Sequence, residues 1–208
     1  SVFQFHPVIC GYEGYAIDID YIRFLYREDV KKNCNVSVTV DGQKLEKGTN
    51  NVYFTNGIFE FTFDEVPGVA AQDFVKTFLA SNTAFADNGT VISEDGKTYT
   101  VYARTNLRGK TLSIADVSLE NITYSLEFNM SFENEAKPGE NIIINGDFAN
   151  PYLLFWNGLA GEENDFDTSI VSYNGSNALK AVFGTGDKFY KLSYRNGTAF
   201  FKENTEYI

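Results

Sequence analysis

The residues of this chain best suited to chemistry are aromatic. Tyr152, Phe155 and Trp156 lie close together in sequence, and Tyr190 and Tyr194 flank Leu192 on an alternating run. Flat, electron-rich rings stack on the C–H faces of sugars at low entropic cost, while neighbouring polar side chains meet the hydroxyls. Tyr152, Trp156, Tyr190 and Tyr194 are therefore candidate carbohydrate contacts. Each has a plainer role open to it, because rings at such positions also fill the interior of a β-sandwich, and Trp156 suits a core in particular. Catalytic groups are harder to assemble. His6 is the only histidine, and no nucleophile motif accompanies it, so no Ser-His-Asp or Cys-His arrangement is assigned. Carboxylates are plentiful but fall in linkers, turns and outward strand positions. None has the apolar setting that raises the pKa of a glycosidase acid, and no catalytic residue is assigned.

Composition narrows the partners. Seventeen Lys and Arg against 28 Asp and Glu leave a net charge of −11. That argues against nucleic acid or an anionic membrane surface, both of which select clustered cations; a neutral polysaccharide imposes no such demand. No apolar run approaches the roughly 20 residues of a membrane span. Nineteen Phe and 13 Tyr against one Trp and one Met suit pleated, half-buried surfaces, so the fold class is all-β. The pair Cys10 and Cys34 is too few for a disulfide scaffold or a zinc site, and both are expected as small buried hydrophobes, with a bridge between them the alternative. A chain that opens at Ser1 and stops at Tyr207-Ile208, within a strand-like stretch, reads as a piece of a longer protein.

The elements that must position these groups follow from period-two alternation. Val36, Val38 and Val40 alternate with Ser37 and Thr39 before an Asp41-Gly42 hairpin turn. Phe59, Phe61 and Phe63 alternate with Glu60 and Thr62. Tyr99 and Val101 follow a second turn at Asp95-Gly96. Ile122, Tyr124, Leu126, Phe128, Met130 and Phe132 mark one long strand. Only Val69 to Ala80 has helical spacing, with Phe74 and Phe78, and Val75 and Leu79, at i, i+4. Charged Arg27 to Asn33 and the Pro-Gly stretch Glu133 to Glu140 divide the chain. Three parts result: 1–28, a sandwich over 34–134, and 141–208. In the last, Ile142 to Ile144 is expected to form a short strand entering the Asn145-Gly146-Asp147 turn. Asn174-Gly175 is a hairpin turn, Ala178 to Phe183 a strand, and Lys188 to Tyr194 another.

Several phrases carry a family likeness. Asn145-Gly146-Asp147-Phe148 followed by Trp156, then Gly175 to Lys180 and Asn204 to Tyr207, resemble the opening of bacterial carbohydrate-binding modules of the family 4, 9 and 22 type. Phe5, Pro7 and Ile19 to Arg23 resemble the closing strands of the same modules. The phrases at Ser93 to Val101 and Leu119 to Phe128 look like bacterial immunoglobulin-like repeats of surface proteins. The resemblance implies a partial jelly roll at each end with an Ig-like sandwich between. Under it, Ile142 to Phe148 pairs with Ile17 to Leu25 to close a sandwich around the middle part.

The same resemblance implies a structural Ca²⁺ where first and last strands meet, held by the Gly146 carbonyl, Asp147 and Asp20. Calcium takes six to eight oxygens, and Ala149 stands where those modules carry a glutamate, which removes a ligand. The competing role for Asp147 is to hold its own turn. The function implied is non-catalytic binding of plant or microbial cell-wall glycan by a secreted or cell-surface protein, attached to a polysaccharide-degrading enzyme. The alternative is a structural spacer or adhesin segment that binds no sugar.

Overall fold

A computed structural model describes residues 32–79, 82–153, 156–159, 166–183, 191–194 and 206. Residues 1–28, with His6, Cys10 and Asp20, lie outside these, so the expected pairing with Ile17 to Leu25 falls there too. The architecture is an all-β sandwich. Its first strand, β1 (Lys32–Val40), turns through Asp41-Gly42 into β2 (Gln43–Lys44), and β3 (Gly48–Val52) and β4 (Ile58–Phe63) follow. The helix α1 (Ala71–Phe78) precedes β5 (Val91–Ile92) and β6 (Thr98–Tyr102). Then come β7 (Thr111–Ile114), β8 (Val117–Leu119), β9 (Ile122–Ser125) and β10 (Phe128–Phe132). One sheet runs β5-β6-β4-β1-β9-β8 with β2 added to β1; the other runs β3-β10-β7.

Alternation sorted the faces as expected. Val36, Val38, Val40, Phe59, Phe61, Phe63, Tyr99 and Val101 are all buried. Phe74 and Phe78 of α1 stack at 5.1 Å. Phe63 meets Phe74, Phe78, Tyr99 and Tyr124 edge-on at 5.5–5.9 Å, the arrangement that ring quadrupoles favour. Tyr99 keeps its hydroxyl paired with the Val69 carbonyl at 2.8 Å, which anchors the segment entering the helix. Cys34 is a buried free thiol within this core.

Two expectations fail. The long strand over Ile122 to Phe132 is two strands in different sheets. β9 lies parallel to the start of β1, whereas β10 lies between β3 and β7. The chain changes sheet at Glu127, where φ is +25°. Ladder groups freed there find other partners: Leu126 N–H donates to Asp116 at 2.7 Å, and Gly48 N–H to the Glu127 carbonyl at 3.0 Å. The Lys47 ammonium donates to the Ser125 and Leu126 carbonyls and sits 4.5 Å from the centre of the Phe128 ring. Tyr124, Leu126, Phe128, Met130 and Phe132 nonetheless stay inward. A strand that rounds a sandwich corner keeps its buried face while changing partners.

The second failure is Ile142 to Ile144, which is not a strand. Residues 141–153 form successive turns, and Asn145 and Phe148 adopt φ of +52° and +57°. Ile144 and Leu153 join the same hydrophobic core as the strands before them. The reason is polar: Asn145 and Asn150 are buried, and their amides are matched to backbone groups at one end of the sandwich. Beyond it, β11 (Trp156–Leu159) pairs with β14 (Lys191–Tyr194). β12 (Phe166–Tyr173) forms a hairpin with β13 (Ser176–Phe183) through Asn174-Gly175, at φ +50° and +78°. Two residues in the left-handed region are what a two-residue hairpin turn requires.

Candidate functional site

The site begins with the Asp41 carboxylate. Asp41 follows β1 in the hairpin turn, and its two oxygens accept the N–H groups of Thr55, Asn56, Gly57 and Ile58 at 2.8–3.1 Å. A loop that would otherwise carry unmatched donors is thereby held rigid at the start of β4. It leaves the carbonyls of Thr55, Asn56 and Gly57 to accept from the 141–153 segment. Asn145 N–H donates to Thr55 O at 2.8 Å. Buried Arg108 bridges Phe54 O and Ile142 O, each at 3.0 Å.

Asn150 is the centre of this clasp and is wholly buried. Its amide nitrogen donates to Asn56 O and Ala103 O at 2.8 Å each. Its amide oxygen accepts from Tyr152 N–H at 2.9 Å. Asn145 closes the loop from the other side, with Oδ1 accepting from Asn150 N–H and Nδ2 donating to the Asn150 and Leu153 carbonyls. An isolated buried amide is costly, but a fully matched one specifies a single geometry.

That geometry delivers Tyr152 to Tyr102, the last residue of β6. Their ring centres are 5.7 Å apart with planes inclined by 44°. Tyr152 remains 41% exposed. Gly89 lies directly beneath it: a Cβ there would sit 2.4 Å from the ring, so only glycine lets the ring come down. Burial pushes the Tyr102 phenol upward in pKa, and nearby Tyr152 and Glu60 add to the shift. The Tyr102 hydroxyl thus stays a protonated donor near neutral pH. Glu60 is exposed on the same sheet face and accepts from the Thr39 hydroxyl at 3.0 Å.

Of the residues singled out from sequence, Tyr152 is brought into this pair. Trp156 and Tyr194 stand opposite one another in the β11–β14 ladder. Tyr190 and Asp20 lie outside the described residues. Tyr102, Glu60 and Gly89 were missed, because outward positions of a strand and a turn glycine carry no signal of their own until Tyr152 is placed. Asp147 holds its own turn: its carboxylate accepts from Ala149 N–H and also from Asn56 Nδ2, each at 3.1 Å. Among the described residues no three His, Cys, Asp or Glu side chains are grouped to hold a metal. Among the described residues no second carboxylate is grouped with Asp147, against the six to eight oxygens that calcium takes.

The fold and site define an all-β sandwich carrying a tyrosine pair, Tyr152 exposed and Tyr102 half-buried, fastened by a buried asparagine clasp. No helix among the described residues is long and apolar enough to cross a membrane. Compared with known proteins, the chain matches no family model, no curated protein and no solved structure.

Proposed function

We propose that this chain is a non-catalytic glycan-binding segment of a modular secreted or cell-surface protein, in which the Tyr102–Tyr152 pair is the sugar platform. The observation that carries the reading is the pair itself. Two tyrosines, one of them 41% exposed, are held at fixed separation on a rigid sheet end, beside a carboxylate able to accept from sugar hydroxyls. Rigid aromatic area of this kind binds at little entropic cost. The resemblance of both ends to carbohydrate-binding modules, with an Ig-like sandwich between, belongs to the same proposal, as does attachment to a polysaccharide-degrading enzyme. Affinity electrophoresis through gels of xylan, β-glucan or mannan tests it. The intact chain is retarded on at least one, and Tyr152→Ala migrates as in a gel without polysaccharide; no retardation on any refutes the reading.

A second reading has its own support. The clasp ties 141–153 into the core of the preceding sandwich, which is what a stiff spacer or adhesin segment needs. Under that reading Tyr152→Ala changes neither migration nor attachment.

A further inference from the structure

Resting on the glycan-binding reading, we infer that the outward face of the large sheet beside the tyrosine pair takes an internal stretch of an extended, unbranched, uncharged glycan, not a chain end. Register supplies the face. Thr39 of β1 stands opposite both Lys44 of β2 and Glu60 of β4; Glu60 stands opposite Thr100 of β6, and Thr100 opposite Val91 of β5. These residues form one row five strands wide, about 19 Å at the usual strand spacing. One step along the strands lies a second row, Ser37, Thr62 and Thr98. Tyr102 follows Thr100 at the next outward position of β6, so the aromatic pair borders the first row.

The chemistry of the rows selects the ligand. Apart from Val91 they carry hydroxyls, one carboxylate and one ammonium. The two charges cancel, so the face offers nothing to a polyanionic chain in a protein of net charge −11. Thr62 and Thr98 share one hydrogen bond at 3.2 Å, and Thr39 donates one to Glu60 at 3.0 Å. A hydroxyl has one donor and two acceptor positions, and a carboxylate about four acceptor positions, so capacity remains for a second partner. Among the described residues the face is open: Ser37, Lys44, Glu60, Thr62 and Val91 are exposed, and a cavity of about 470 Å³ lies elsewhere, beside Tyr53 and Glu133. An open, hydroxyl-bearing strip bordered by two tilted rings cannot enclose a terminal sugar. It matches a ribbon-like chain that shows C–H faces to the rings and hydroxyl edges to the threonines.

Calorimetry on the full chain with β-1,4-linked trisaccharides and hexasaccharides of glucose, xylose and mannose, and with polygalacturonate as the charged control, tests this. The hexasaccharide of the preferred sugar is expected to bind on the order of tenfold tighter than its trisaccharide, a difference of about 1.4 kcal/mol, and polygalacturonate not at all. The double variant Thr62→Val with Thr98→Val, which removes both partners of one outward hydrogen bond, abolishes the length dependence, bringing hexasaccharide affinity down to that of the trisaccharide. Equal affinity for both lengths, abolished by Tyr152→Ala, overturns the extended face but leaves the tyrosine platform standing. Absence of binding to every neutral glycan overturns both.

Discussion

Replacing Asn150 by alanine removes the donor pair for Asn56 O and Ala103 O and the acceptor for Tyr152 N–H in a site with no solvent exposure. Each hydrogen bond contributes about 1 kcal/mol net, and each buried group left unmatched costs about 1–3 kcal/mol. Three bonds are lost and part of the cost is recovered by relaxation, so the expected loss is roughly 3–5 kcal/mol, the range reserved for broken buried networks. With an m-value of about 2 kcal/mol/M, the urea midpoint of the full chain falls by about 2 M. Asn150→Asp separates polarity from volume. Ionised, it points a carboxylate at two carbonyl oxygens; protonated, it returns one donor. Its folded-state pKa is therefore raised, so its deficit is smallest below the ordinary carboxylate value near 4 and grows as pH rises through the folded pKa. Sugar affinity falls in parallel, because Asn150 positions Tyr152. A midpoint shift below about 0.5 M for Asn150→Ala, or no pH dependence for Asn150→Asp, refutes the clasp as the determinant of this end of the sandwich.

Gly89→Ala places a methyl 2.4 Å from the Tyr152 ring, so glycan affinity drops on the order of tenfold with a stability change under about 1 kcal/mol, read by calorimetry and urea unfolding together. Asp41→Ala leaves four backbone N–H groups of the 55–58 loop without their acceptor; a loss of about 2–4 kcal/mol is expected, with hydrogen exchange at those amides rising before global unfolding. Phe74→Ala opens the aromatic core beneath Phe61, Phe63 and Phe78 and costs about 3–5 kcal/mol, measured by the same unfolding curve. Asp95 is held below the usual carboxylate range by hydrogen bonds from the Ser93 hydroxyl and the Lys97 N–H. Its support of the β5–β6 turn is complete above the unfolded carboxylate pKa and disappears as pH falls through the folded value; a titration of Lys97 amide exchange follows that loss.

Sequence alone determined which residues face inward. Val36 to Val40, Phe59 to Phe63, Tyr99 and Val101 alternate at the strand period, and Phe74 with Phe78 repeats at the helical one. The Asp41-Gly42, Asp95-Gly96 and Asn174-Gly175 turns are equally local, since they depend on residues able to adopt positive φ. Tertiary structure decided everything that depends on which backbone groups lack partners. Tyr124 to Phe132 keeps one buried face while its hydrogen bonds pass from one sheet to the other, and alternation is blind to that exchange because both sheets share the interior. Ile142 to Ile144 has the composition of a strand. It becomes a turn-built clasp because Asn145 and Asn150 meet carbonyls left open at the ends of distant strands. The pairing of Tyr102 with Tyr152 is a consequence of that docking: residues 50 positions apart in the chain become neighbours only after the asparagines have found their acceptors.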